Sequence, residues 1–334
     1  MRHLVRCDRW VGWAWGLVVA LVACGWGSPA RAGELVFNLD WVVFGRHVPY
    51  FAALERGFYK NAGLDIKIVR GYGGADALNK IGTKVAAFAL GDAGALIVAR
   101  SKGQPVKMVA ILYGKSPMAI YTLADRNITR PKQLEGLQIA APSFDAPRTM
   151  FPVFAKFAGI DPTKVKWLTV DGGNKAPMLL SRKADAITEF FMSTPNLAKI
   201  AAAQGLSLNV MKWADYGFDL YSNGILVSEE LIKEQPQVVR GFVKATIDGL
   251  QYTFDHPDEA VTLFLKHNPT FDREIVRAEV EIVRELVLTA DAKSNGIGWV
   301  NEKTMQSSID AVTEAFKLEA KVLPSQVYTN EFLK

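Results

Sequence analysis

Short apolar runs alternate with helical stretches along almost the whole chain, and this alternation limits the folds open to it. Leu35 to Leu39 reads as a strand and Pro49 to Tyr59 as a helix. Asp65 to Val69 reads as a strand; the turn Gly71-Tyr72-Gly73-Gly74 follows, and a helix starts at Ala75. Ala87 to Leu90 is a strand, Ala93 to Ser101 a helix and Val106 to Tyr113 a strand. A second set runs from Gln138 to Val210. It holds strand Gln138 to Ala141, helix Ala146 to Ala158, strand Val165 to Val170, a helix near Lys175 to Ser181 and strand Ala184 to Thr188. After Tyr221 to Val227 the pattern is helical to about Leu318. Pro236, Pro257 and Pro269 stand near helix starts, where a missing N–H costs little. The alternation predicts βαβ units, mainly parallel sheets flanked by helices, and an α/β class.

The two sets echo each other at an offset of 99 residues. Gly73-Gly74 matches Gly172-Gly173, Ala77 matches Ala176, Lys84 matches Lys183 and Ala87 matches Ala186. Chance can repeat glycine and alanine, but the matching order of elements favours two equivalent lobes. One lobe then combines residues 33–121 with 222–334, and the other spans 122–221. The chain crosses between them near Met118 to Leu123 and near Asp219 to Ile225, making a two-strand hinge. A ligand cleft is expected between the lobes, because open α/β sheets bind beyond the carboxyl ends of their strands.

The length of 334 residues suits two domains. The formal charge of +5 is concentrated at the start, where Arg2, Arg6, Arg9 and Arg31 face one acid, Asp8. The rest carries 35 basic and 33 acidic groups, which leaves no electrostatic footprint for nucleic acid. Residues 1–32 read as a secretory signal: a positive start, an apolar stretch from Trp10 to Ala23, then Ala30-Arg31-Ala32 before Gly33. That apolar stretch is shorter than the roughly 20 residues of a membrane span. Leu21-Val22-Ala23-Cys24 offers a second route, a lipoprotein cleavage that leaves Cys24 lipidated. Either route exports the body, into the periplasm. Both cysteines, Cys7 and Cys24, lie in this segment, so the body builds its cores without disulfides.

Enzyme signatures are scarce. Gly71-Tyr72-Gly73 opens a dinucleotide fingerprint, but Asp76 stands where its last glycine belongs. Gly114-Lys115-Ser116 resembles the end of a phosphate loop, but Val109 replaces its first glycine. The body has three histidines, His47, His256 and His267, and no cysteine, so no metal and no cofactor is expected.

The strand ends carry a biased set of side chains. Asp40, Trp41, Phe44, His47, Tyr50 and Phe51 follow the first strand, and Gly91 and Asp92 the third. Ser143, Phe144, Asp145 and Arg148 follow Gln138 to Ala141; Glu189, Phe190 and Phe191 follow Ala184 to Thr188. Trp41 and Phe144 could sandwich a flat ligand, and the polar groups would orient it. Each also has a plainer reading. Trp41 could plug the core, His47 could cap the helix near Pro49, and Asp92 could cap the helix at Ala93. Ser143 and Asp145 could cap the helix at Ala146; alternatively its first N–H groups hold an anion with help from Arg148, which could equally be a surface arginine. Phe44, Phe51 and Phe191 fit packing. Tyr72, Tyr113 and Tyr216 are weaker candidates, and Tyr221 stands at the second crossover.

These residues resemble a known family. Leu39-Asp40-Trp41 with His47 is similar to the first-strand motif of the NMT1/THI5-like substrate-binding proteins of ABC importers, a thiamine-pyrimidine, sulfonate, taurine and nitrate group. The block Ala53-Leu54-Glu55-Arg56-Gly57-Phe58-Tyr59-Lys60-Asn61-Ala62-Gly63-Leu64-Asp65 resembles its next helix and turn. Gly91-Asp92-Ala93, Leu134-Glu135-Gly136, Lys183-Ala184-Asp185-Ala186, Gly224-Ile225-Leu226-Val227 and Thr329-Asn330-Glu331-Phe332-Leu333 also fit. The resemblance implies a two-lobed periplasmic-binding-protein fold of type II, with a small molecule held between the lobes. It implies delivery to an ABC permease and its ATPase, and it places Trp41, His47, Gly91, Asp92, Ser143 to Asp145 and Glu189 near the ligand. Two departures stand out. Val42-Val43-Phe44-Gly45-Arg46 replaces the more polar run of pyrimidine binders, and the body lacks the cysteine-rich motif of the family's pyrimidine synthases.

The expected function is a monomeric solute receptor that captures a small planar molecule by lobe closure. The ligand would be a pyrimidine, sulfonate or aromatic acid, with an anionic group an option. The alternatives are a periplasmic enzyme using Asp92, Glu189 and His47, or a ligand-sensing partner of a membrane receptor.

Overall fold

The computed structural model describes residues 33–333. The leader read at residues 1–32, with Cys7 and Cys24, lies outside the described residues. The first part of the chain holds β1 (Leu35–Asn38), α1 (Val48–Glu55), α2 (Phe58–Asn61), β2 (Ile66–Val69), α3 (Gly74–Gly82), β3 (Phe88–Asp92), α4 (Ala93–Ser101) and β4 (Val106–Ile111). The next part holds β5 (Met118–Leu123), β6 (Gln138–Ala141), α5 (Ala146–Ala158), β7 (Lys166–Thr169), α6 (Lys175–Leu180), β8 (Ala186–Phe190), α7 (Thr194–Ala202) and β9 (Leu208–Lys212). The chain returns through β10 (Asn223–Ser228) to α8 (Glu229–Glu234), α9 (Pro236–Asp255), α10 (Pro257–His267), α11 (Arg273–Val287), α12 (Ala290–Asn295), α13 (Glu302–Phe316) and α14 (Pro324–Val327).

Among the described residues the strands form two five-stranded sheets, ordered β2-β1-β3-β10-β4 and β7-β6-β8-β5-β9. Both follow one plan. β1 lies parallel to β2 and β3, and β6 lies parallel to β7 and β8. The fourth strand of each sheet, β10 or β5, is antiparallel to both neighbours, so the sheets are mixed. Each antiparallel strand is exchanged: β5 follows β4 of the first sheet, and β10 follows β9 of the second. A chain that has just crossed enters the new sheet at its carboxyl edge, and so must run against the parallel strands.

Met118 to Leu123, expected as a crossover, is therefore an inner strand of the second sheet. The boundary expected at residue 121 would cut it. The crossings occupy residues 112–117 and 213–222, and the second is complete before β10 begins at Asn223. They meet side by side. The N–H groups of Leu112 and Tyr113 both donate to Asn223 O at 2.9 Å, and Ser222 N–H donates to Tyr113 O at 3.2 Å.

The expected helix from Pro49 to Tyr59 is two helices. Gly57 separates them with φ +74°, a conformation that costs glycine little. β3 and β8 each run two residues beyond the expected ends, so Asp92, Glu189 and Phe190 belong to strands rather than to the loops after them. The first sheet packs on α9 through Phe37 and Phe88 against Phe242, with the Phe88 and Phe242 rings stacked at 3.7 Å. Phe154 of α5 stacks on Trp213, just past the end of β9, at 4.4 Å. No described helix is long and apolar enough to cross a membrane.

Candidate functional site

The loop after β1 folds back on itself and builds a buried charge cluster. Residues Gly45–His47 form a 3-10 turn that brings Arg46 and His47 against Asp40. Asp40 Oδ1 lies 2.7 Å from His47 Nε2; its Oδ2 accepts from Arg46 Nη2 at 3.4 Å and from Asn223 Nδ2 at 3.1 Å. His47 Nδ1 accepts the N–H of Phe44 at 3.0 Å, so the ring proton sits on Nε2 and points at Asp40. Burial lowers the His47 pKa, and Asp40 only partly opposes it; the ring is neutral and serves to orient the carboxylate. Burial would raise Asp40, but Arg46 and His47 outweigh it and hold the carboxyl well below the usual range.

Arg46 lies between two rings. Its guanidinium carbon is 4.8 Å from the centre of Phe44 and 5.4 Å from that of Phe190, which belongs to the opposite sheet. Nε and Nη1 have no hydrogen-bond acceptor among the described residues. From α11, Glu279 reaches the same turn, where the backbone N–H groups of Gly45 and Arg46 favour its charged form. A β carbon on Gly45 would sit 2.6 Å from Glu279 Oε2, so glycine there lets the helix approach. Burial pushes Glu279 up to about 7 despite the attraction of Arg46.

Asp92, at the end of β3, caps α4 by accepting Ala95 N–H at 3.2 Å, and it accepts Ser222 Oγ at 3.1 Å. With no cation beside it, burial lifts its carboxyl to about 6. Ser222 Oγ also lies 3.2 Å from Asn223 Oδ1, and Asn223 Nδ2 donates to Asp40, so Ser222 and Asn223 stand between Asp92 and Asp40.

The opposite sheet supplies a second cluster. Lys175 Nζ, at the start of α6, lies 2.8 Å from Glu189 Oε2, 3.2 Å from Asp145 Oδ1 and 2.9 Å from the carbonyl oxygen of Thr188. Thr188 Oγ1 donates to Asp145 at 2.6 Å. Burial would strip the Lys175 proton, but the two carboxylates overcome it and keep the ammonium.

The clusters face each other across one cleft. Trp41 from the first side meets Phe144 from the second, ring centres 5.6 Å apart and tilted by 42°. Lys175 Nζ stands 5.8 Å from the Trp41 ring centre, the reverse of the Arg46–Phe190 contact. A β carbon on Gly73 would come within 2.5 Å of Phe144 O, and one on Gly172 within 2.8 Å of the Trp41 ring. The two sides are thus in contact around the cleft. The space between the clusters is about 30 Å³, bordered by Asp40, Trp41, Arg46, Asp92, Glu189 and Asn223.

Of the residues expected at a site, Asp40, Trp41, Gly91, Asp92, Asp145, Glu189 and Phe190 border this cleft. Phe144 touches Trp41 directly instead of flanking a slot with it. The others lie elsewhere. His47 is wholly buried behind Asp40 and makes no cap to α1. Tyr50 is core, edge-on to Phe37 at 5.4 Å. Arg148 is tied to Ala141 O and Thr169 Oγ1 at 2.8 and 2.9 Å and lies over Trp167. Its guanidinium thus clasps the ends of β6 and β7 rather than the cleft. Ser143 is exposed on the outer side of that loop. Tyr221 accepts Asn301 N–H at 2.9 Å and anchors the return to the C-terminal helices. Asp145 makes no cap to α5, because both its oxygens face inward to Lys175 and Thr188.

Arg46, Lys175, Ser222, Asn223 and Glu279 were not expected. The internal repeat held a signal for one of them: the Gly73-Gly74 turn borders the cleft, and its counterpart Gly172-Gly173 leads straight to Lys175. Among the described residues no group of three or more His, Cys, Asp or Glu side chains is arranged to hold a metal ion.

Comparison with known proteins follows the same line. The riboflavin-binding protein RibY of Chloroflexus aurantiacus is 28% identical over 90% of this chain and 86% of its own length. A formylaminopyrimidine-binding protein of Halalkalibacterium halodurans is 24% identical over 77% of this chain and 78% of its own. A 4-amino-5-hydroxymethyl-2-methylpyrimidine phosphate synthase of Legionella pneumophila is 22% identical over 88% of this chain and 90% of its own. The alkanesulfonate-binding protein SsuA of Xanthomonas axonopodis shares the fold, with a TM-score of 0.69 at 12% identity, over 90% of this chain and 99% of that one. The fold is therefore that of the periplasmic binding proteins. The NMT1/THI5-like family model matches residues 45–260, and the chain belongs to that family.

Proposed function

We propose that the protein is an exported solute receptor that binds a small, uncharged nitrogen heterocycle and hands it to an ABC permease in the membrane. The observation that carries this reading is the pair of buried charge clusters facing one cleft. The carboxylates of each cluster are paired within their own side: Asp40 with Arg46 and His47, and Asp145 and Glu189 with Lys175. Groups already neutralised by neighbours suit reversible hydrogen bonding better than attack on a substrate. Four carboxyls, Asp40, Asp92, Asp145 and Glu189, border the cleft against two cations, Arg46 on its lining and Lys175 behind Asp145 and Glu189. That balance favours a ligand with N–H or O–H donors and one acceptor for Arg46, and it disfavours a sulfonate or carboxylate. Relatives named for riboflavin and for a formylaminopyrimidine bind donor-bearing heterocycles, which supports this chemistry.

The mechanism is closure about the paired crossings. Ser222 and Asn223 belong to or adjoin the second crossing and bond directly to Asp92 and Asp40. A ligand that pulls on those carboxyls therefore acts on the segment that must bend. The leader at residues 1–32 supplies export, with lipidation at Cys24 as the alternative anchor. The test is a thermal-shift and native-mass screen of the exported protein against pyrimidines, flavins, sulfonates and aromatic acids. Saturable binding of a heterocycle, released unchanged, supports the reading; preference for sulfonates refutes it.

One observation favours a second reading. Asp92, at about 6, could exchange a proton near neutral pH, and relatives named as pyrimidine phosphate synthases occur in the family. Turnover of the bound compound, lost in Asp92→Asn, would establish that reading.

A further inference from the structure

A second cavity adjoins the cleft, on the side of α3, α4 and the start of α5. Its volume is about 510 Å³, within the roughly 300–1,000 Å³ of small-molecule sites, whereas the cleft between the charge clusters holds about 30 Å³. The two spaces share Gly74, Asp92 and Ala146. The walls of the larger one are apolar: Leu78, Val98, Ala99, Met150, Phe144 and Phe316. Asn79, Lys102, Gln104 and Thr149 add polar side chains to the lining, and its carboxyl, Asp92, stands at the junction with the cleft. Glycines let the helices pack closely beside this space. A β carbon on Gly74 would meet Ala95 Cβ at 3.0 Å, and one on Gly94 would meet Met150 Sδ at 2.2 Å.

We propose that this chamber takes the apolar body of a fused-ring heteroaromatic ligand, whose hydrogen-bonding edge points past Asp92 toward Asp40 and Arg46. The inference rests on the receptor reading and narrows its ligand class. A single six-membered ring can satisfy the polar groups near Asp92 but leaves most of an apolar chamber unfilled. A polycyclic ring places its flat apolar portion between α4 and α5, with Phe144 as one wall, and keeps its donors at the carboxyl junction. The chamber's continuity with the cleft argues for the same ligand molecule as occupant, not for a separate partner.

The experiment compares riboflavin, a three-ring probe, with formylaminopyrimidine, a one-ring probe, on the full exported protein. Ala99→Trp fills the chamber from the partly exposed face of α4, and Val98→Phe does so from the adjacent position. Each is paired with a circular-dichroism melt to confirm folding. The expected result is that riboflavin binds the parent and loses at least tenfold in affinity in a folded filling variant. If the one-ring probe also binds, its affinity changes less than threefold. If the one-ring probe alone binds, or if filling leaves riboflavin affinity unchanged or weakens both probes equally, the chamber assignment is overturned and the receptor reading stands. If neither probe nor any other heterocycle binds, both fall.

Discussion

Lys175→Met is the sharpest test of how the second side of the cleft is held. Methionine keeps the apolar stem of a side chain that is 3% exposed and removes its charge. Glu189 and Asp145 then face each other without the ammonium that stands 2.8 and 3.2 Å from them, and the Thr188 carbonyl loses its donor. Removing one partner of a buried ion pair costs about 3–5 kcal/mol, because the remaining charge stays desolvated. At about 2 °C per kcal/mol for a chain of this size, the melting temperature falls by roughly 6–10 °C at pH 7. The pH dependence carries a sign. An orphaned, buried carboxyl has its folded pKa raised above the unfolded value near 4, so the folded variant takes up protons that the unfolded chain does not. Its stability is therefore regained as pH falls through that raised pKa. The gap to the parent narrows between pH 7 and pH 5, and Lys175→Met with Glu189→Gln is less destabilised than Lys175→Met alone. Urea denaturation followed by far-ultraviolet circular dichroism at both pH values reads all of this. A loss below about 1 kcal/mol, or a loss independent of pH, would refute the picture of a dry, shared lysine.

Further outcomes follow from the same geometry. Glu279 at about 7 and Asp92 at about 6 both lie above their unfolded values, so the parent gains stability as pH falls from 8 to about 6.5; below that His47, whose folded pKa is lowered, opposes the gain. Asp92→Asn loses stability relative to the parent as pH falls below about 6, and a flat parent profile between pH 8 and about 6.5 would contradict the burial of Glu279. Trp41→Ala weakens heterocycle binding at least tenfold by isothermal titration while leaving the sheets intact; unchanged affinity removes Trp41 from the site. Gly73→Ala forces a β carbon against Phe144 O at a backbone with φ +95°, so small-angle scattering should report a more open protein with weaker binding. An unchanged radius with unchanged affinity would mean that the two sides do not meet there in solution.

The charge clusters explain why much of the site was hidden in the sequence. Asp40, Trp41, Asp92, Phe144 and Glu189 sit at or just past strand ends, and strand ends can be read from apolar runs followed by polar residues. Arg46 and Lys175 look like ordinary solvated cations until their partners are placed. Arg46 is buried by Phe190, which is far along the chain and in the other sheet. Glu279 lies on an amphipathic helix, and only the packing of α11 against the Gly45–His47 turn turns it inward. Arg148 shows the converse: its position next to a helix start suggested an anion site, but Ala141 O and Thr169 Oγ1 hold it away.

Local pattern alone determined the α/β class, the order of most elements and the doubling of the strand–turn–helix–strand unit, because periodicity and glycine turns act over a few residues. Helices Ala93–Ser101 and Ala146–Ala158 and strand Gln138–Ala141 were legible to the residue. Tertiary structure decided the rest. A strand's direction depends on which edge of a sheet the chain enters, so β5 and β10 became visible as exchanged antiparallel strands only once both sheets were assembled. Which charges are buried, and which pairs neutralise each other, depends on neighbours from distant segments converging in a low-dielectric cleft. The residues that could touch a ligand were partly written in the local sequence; what holds them in place was not.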